Sequence, residues 1–153
     1  MTKSRKIYTV IAWVLVIACM VLIFSLSAQV ASESEELSGS FIRTILKLIG
    51  VEFQQGTIRT VAHMLEFLGL ALLMFNAIYS TWEAKLTPLF AFAGTVLYAI
   101  TDEFHQLFVP GRAFQLIDIL VDSTGALIGV TASFVILKFI LHIKKRGNKN
   151  GNS

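Results

Sequence analysis

The chain has 153 residues, 55% of them hydrophobic and only 15% charged, with a mean hydropathy of +0.71. That is too apolar for a soluble domain of this length; at roughly 20 residues per membrane crossing it supplies about four spans in a single domain and little else. The net charge of +3 and pI near 9.2 do not mark a nucleic-acid binder, because the basic residues gather beside apolar runs at the chain ends, where they report topology.

The first predicted span covers about 7–26, behind Lys3, Arg5 and Lys6. VIAC at 16–19 resembles a lipoprotein cleavage box, but MVLIFSL continues the apolar run well past the 7 to 15 residues of a signal-peptide core, so the segment reads as a permanent helix. The single Cys19 inside it can form no disulfide within the chain and reads as packing. A polar loop with Glu33, Glu35 and Glu36 follows, then an amphipathic stretch at about 38–50. There Phe41, Ile42, Ile45, Leu46 and Ile49 share one face, away from Arg43 and Lys47. Too short to span, it is expected to lie in the membrane interface or to pack on the bundle as a surface helix.

The second span covers about 58–79, and a tight turn, STWEAKLT, leads to the third at about 87–108. Pro88 opens that span, where a missing N–H costs nothing. FVPGR at 108–112 reads as a rigid turn, with Pro110 fixing φ and Gly111 allowing positive φ. The fourth span covers about 115–142, and RGNKNGNS at 146–153 reads as a disordered tail. The fold class is thus all-α: a four-span membrane bundle with a short interfacial helix.

Lys3, Arg5, Lys6, Lys85, Lys138, Lys144, Lys145, Arg146 and Lys149 all fall on one side of such a bundle, against Arg43, Lys47, Arg59 and Arg112 on the other. Both termini are therefore expected in the cytoplasm, with Tyr8, Tyr79 and Trp82 as an aromatic belt at that boundary.

With alternating helices, the polar residues of every span land at the outer end. Ser25, Ser27 and Gln29 close the first span; Arg59, His63 and Glu66 open the second on one narrow face. Asp102, His105 and Gln106 share a face of the third, with Glu103 at its margin, and Asp118, Asp122, Gly125 and Gly129 share a face of the fourth. Ionisable groups facing lipid are costly, so these stripes are expected to turn inward around a small wet cavity open to the outside, with Arg59 and Arg112 offsetting the carboxylates. The Gly125/Gly129 pair would let a neighbouring helix come close beneath it. The bland alternative is a set of mutually satisfied pairs, such as Arg59 with Glu66 or His63 with Asp102, that fixes helix register.

FSLSAQ at 24–29, R-x3-H-x2-E at 59–66, DExHQ at 102–106, VPGR at 109–112 and D-x3-D-x2-G at 118–125 together resemble the VanZ-like family of small membrane proteins. Its founding member is linked to teicoplanin resistance in Gram-positive bacteria. The chain departs from the family at Arg59-Thr60, where a basic pair is frequent, and near Gln115, where a small polar residue is frequent. The resemblance implies a multi-pass protein of the bacterial cytoplasmic membrane that acts at the cell envelope and lowers sensitivity to lipoglycopeptides.

Two functional readings follow. As a binding module, the outer site would receive an anionic or amide-rich head group, that of a membrane lipid, a lipid-linked cell-wall precursor or a lipoglycopeptide, with Arg59 and Arg112 as the anion contacts and Gln106, Ser25 and Gln29 as further polar contacts. As an enzyme on a lipid-linked envelope substrate, it would use His63, Glu66, Asp102, Glu103, His105, Asp118 and Asp122 as acid/base groups or as ligands of a divalent metal. His63-x2-Glu66 lacks the second histidine of a metalloprotease helix. A proton-coupled transporter fits less well, since the cytoplasmic half of each span is purely apolar and no inverted repeat is evident.

Overall fold

The computed structural model describes residues 3–28, 55–82 and 85–150, with the side chains of 55–59 and 147–150 outside that description. Among the described residues the protein is all-helical: α1 (Lys3–Ser27), α2 (Gln55–Trp82), α3 (Thr87–Gln106) and α4 (Leu116–Asn150). The amphipathic stretch expected at 38–50 lies outside the described residues, as do Gln29 and the Arg59 side chain.

Three of the helices are long and apolar enough to cross a membrane: Lys3–Ser27, Thr60–Trp82 and Leu116–Arg146, with mean hydropathies of 2.8, 1.8 and 2.1. α3, expected as a further span, has 20 residues and so a length of about 30 Å, but it is not among these three. Its C-terminal end carries Asp102, Glu103, His105 and Gln106, which dilute an otherwise apolar sequence.

α2 is the hub. It packs against α1, α3 and α4, most extensively against α4. Half of its apolar span is buried, against 17% for α1 and for α4. Its inner stripe of Phe67, Leu70, Ala71, Met74 and Ile78 follows the helical period and meets Ala126 and Val130 of α4 and Val16 of α1 in one core. The outer surfaces carry large exposed apolar side chains such as Val10, Leu97, Leu120 and Phe139, a surface suited to hydrocarbon rather than water.

The small residues of α4 set the closest approach. A Cβ at Gly125 would stand 2.1 Å from the Met64 carbonyl oxygen, and one at Gly129 would stand 2.6 Å from that of Leu68. The glycine pair therefore seats α4 directly on the α2 backbone, one turn per glycine, as the spacing leads one to expect.

At the end of the bundle where α1 begins, the Arg5 guanidinium donates through Nε and Nη2 to the Ser80 carbonyl at 3.3 and 3.2 Å. Thr9 donates to the same oxygen, and Trp13 Nε1 donates to Thr81 Oγ1 at 3.0 Å. The first three satisfy the Ser80 carbonyl in the last turn of α2, and together the four tie the start of α1 to the end of α2. Tyr8, expected at this boundary, donates its hydroxyl to Asn76 Oδ1 at 2.8 Å.

In the second half one expectation holds and one changes. Pro88 does sit in the first turn of α3, but α4 continues to Asn150 rather than giving way to a tail near residue 146. No proline interrupts RGNKN, and once packing has nucleated a helix, propagation costs little per residue. Residues 151–153 lie outside the described residues.

Candidate polar site at one end of the bundle

The site begins with the turn between α3 and α4. The backbone N–H of Arg112 donates to the Val109 carbonyl at 3.1 Å, with Pro110 and Gly111 between them and Gly111 at φ 78°. Proline at the second position and a positive-φ glycine at the third define a type II turn, so the dipeptide that suggested a turn also selects its type. Arg112, half-buried, follows immediately.

Glu103 fixes where α4 starts. Its Oε2 accepts the backbone N–H of Gln115 at 2.8 Å, one residue before Leu116 opens the helix. A carboxylate there takes up an exposed backbone donor and faces the positive end of the helix dipole. This corrects the expected face of α3. The fully buried residues are Asp102, Glu103 and Gln106, continuing the stripe of Ala91, Thr95 and Ala99, whereas His105 is half-buried. The backbone of the next helix draws Glu103 inward; His105 turns instead to α1, its ring 4.1 Å from that of Phe24.

α1 reaches the cluster through Ser27 rather than Ser25. Ser27 Oγ donates to Asp102 Oδ2 at 2.7 Å, while Ser25, exposed, donates to the Val21 carbonyl of its own helix. The signal was present in the spacing: Ala12, Val16, Ile23 and Ser27 form the buried stripe of α1, and Ser25 falls off it. Asp102 Oδ2 also faces Gln106 Nε2 at 3.4 Å, and the Tyr98 hydroxyl, one turn before Asp102, donates to the Met20 carbonyl of α1.

From α2, His63 is buried and Glu66 half-buried; from α4, Asp122 is 1% exposed and Asp118 half-buried. His63 Nδ1 stands 3.8 Å from Asp122 Oδ1, a contact lying beside the close approach of Gly125 to Met64. Glu66 is within electrostatic reach of Asp102 and Arg112, and Asp122 within reach of Asp102, Asp118, Glu103 and Glu66. The side chains expected at the outer ends of α2, α3 and α4 thus meet in one cluster, in which Glu66, His105, Arg112 and Asp118 are half-buried and His63, Asp102, Glu103, Gln106 and Asp122 are buried.

The cluster has unmet hydrogen-bonding capacity. Among the described residues, neither carboxylate oxygen of Asp122 has a hydrogen-bond partner, nor do Asp102 Oδ1 and His105 Nδ1, though all are buried. Buried polar atoms are seldom left so, since each costs about 1–3 kcal/mol. No three described His, Cys, Asp or Glu side chains converge closely enough to hold a metal ion, so the arrangement offers acid/base pairs and hydrogen-bond acceptors rather than a preformed metal centre.

No curated protein and no solved structure matches the chain. The family model described as VanZ/LLP1 matches residues 12–139, from the buried stripe of α1 through the cluster to the far half of α4. This chain therefore belongs to the VanZ/LLP1 family.

Proposed function

We propose that the protein is a binding module of the bacterial cytoplasmic membrane, with α3 as a fourth span, both termini cytoplasmic and the polar cluster opening at the extracytoplasmic face. There it receives the polar head group of a membrane lipid or lipid-linked cell-wall precursor. By engaging such a group it lowers sensitivity to lipoglycopeptides such as teicoplanin, which act at that surface. The observation that carries this reading is the buried Asp122 carboxyl group without a hydrogen-bond partner among the described residues, one turn below the half-buried Asp118. Buried polar atoms without hydrogen bonds are expensive, and a polar group entering from the membrane surface would satisfy them.

Expression in a teicoplanin-susceptible bacterium tests the reading. The inhibitory concentration should rise with the native chain and return to baseline with Asp122→Asn at equal membrane abundance. An unchanged concentration with the native chain sinks the lipoglycopeptide role. For the orientation, a cysteine at Arg112 should react with a membrane-impermeant maleimide on intact cells; labelling only after lysis would invert the topology.

A second reading, an acid/base enzyme acting on a lipid-linked envelope substrate, is favoured by one contact, His63 beside Asp122 at 3.8 Å. The two readings part on His63→Gln: the enzyme loses its phenotype with binding retained, whereas the binding module keeps its phenotype.

A further inference from the structure

Resting on the head-group reading, the unmet polar atoms specify which head group fits. Three of the four are carboxylate oxygens, Asp102 Oδ1 and both oxygens of Asp122, and a carboxylate offers only acceptors. The charge balance has the same sign. Glu66, Asp102, Glu103, Asp118 and Asp122 form one electrostatic group, and the described cationic partners at this end are Arg112 with the two histidines His63 and His105. Five acidic groups thus crowd against three described basic ones, and an entering cation would hold the acids in their ionised, acceptor-only form.

An occupant must therefore bring N–H donors and positive charge together. A divalent metal would bring charge, but no three of these ligands converge on one point among the described residues. A primary ammonium brings three donors and no acceptor, and its bonds of about 2.7–2.9 Å span a looser arrangement than metal–oxygen bonds do. A trimethylammonium has the charge but no N–H to give. The half-exposed Asp118 stands nearest the α3–α4 turn, Asp122 lies one turn below it on the same helix face, and Glu66 lies deeper, within electrostatic reach of Cys19.

We propose that the site recognises a primary ammonium carried on the head group of a membrane amphiphile, with Asp122 and Asp102 as the accepting carboxylates. The same ammonium chemistry occurs in aminoethyl-phosphate lipids and in free amines, which the experiment separates.

The full chain, purified in detergent, is titrated with phosphatidylethanolamine, phosphatidylcholine and phosphatidylglycerol of matched acyl chains, with occupancy read by native mass spectrometry. Phosphatidylethanolamine should bind about tenfold tighter than phosphatidylcholine, and Asp122→Asn should erase most of that ratio. Asp102→Asn, which keeps an acceptor for Ser27, supplies a second variant should the first not fold; it too should reduce the preference. Displacement of the lipid by free ethanolamine would place recognition in the ammonium alone; resistance to it would show that the lipid anchor contributes, and both agree with the proposal. Equal affinity for the two zwitterionic lipids, or tightest binding of phosphatidylglycerol, overturns the ammonium assignment and leaves head-group binding standing. Saturable binding of none of the three overturns both.

Discussion

Replacing Gly125 with alanine tests whether the α2–α4 seam supports the polar cluster. The added Cβ would lie 2.1 Å from the Met64 carbonyl oxygen, where ordinary contact begins near 3.4 Å, so the two backbones must part by about 1.3 Å. Because the obstacle is main chain, no side chain can rotate away. Overpacking of this kind costs about 1–3 kcal/mol. The same displacement carries His63, next to Met64, away from Asp122, one turn before Gly125, lengthening their 3.8 Å contact to about 5 Å. Gly69→Ala is the internal control: nothing lies within 4 Å of a Cβ there, so in a helix interior the change should be neutral or stabilising by up to about 1 kcal/mol. Thermal unfolding in detergent, followed by helical circular dichroism, should place Gly125→Ala well below the native protein and Gly69→Ala at or above it. If both alanine variants melt with the native protein, the seam is not where the helices are held apart most tightly, and the reasoning fails.

Other side chains make narrower demands. Ser27→Ala removes the donor to Asp102 and should lower stability by about 0.6–2 kcal/mol, the range for polar contacts between membrane helices, whereas Ser25→Ala should change little in the same melt. Glu103→Ala frees the Gln115 N–H and should destabilise by about 1–3 kcal/mol; Glu103→Gln, which retains an acceptor oxygen, should recover much of the loss. At Gly111, with φ of 78°, alanine should cost about 1–2 kcal/mol through the left-handed backbone alone, measurable by the same unfolding curves.

Much of this arrangement was legible in residue spacing. The Asp118, Asp122, Gly125, Gly129 stripe and the Pro110-Gly111 turn each follow from local geometry: residues four apart share a face, and only certain residues accept certain φ values. Periodicity erred where a long-range partner decided orientation. Glu103 sits at the margin of its helical face by spacing, yet the Gln115 N–H draws it in, and no pattern within α3 announces a donor twelve residues further on. Ser27 stands with Ser25 among the polar residues closing α1, but only the buried stripe Ala12, Val16, Ile23 and Ser27 tells which of the two serines faces the cluster. The end of α4 was misread because composition was allowed to outweigh helix propagation.

α4 also carries a ruler. Its apolar-to-basic stretch Leu116–Arg146 has 31 residues, about 46 Å of helix, in a hydrocarbon layer of about 30 Å. Lying wholly inside that layer would require a lean of about 50°, beyond the 0–40° that membrane helices adopt, so part of the rod must emerge. Counted from Leu116 near one boundary, Lys138 stands about 33 Å along, level with the opposite boundary, its ammonium 5.3 Å from the Phe134 ring centre. Beyond it lie one more largely apolar turn, Phe139 to Ile143, and then the basic Lys144, Lys145 and Arg146. Lengthening or shortening the helix between Asp122 and Lys138 would shift the depth of the polar cluster relative to the bilayer surface without altering any residue in it.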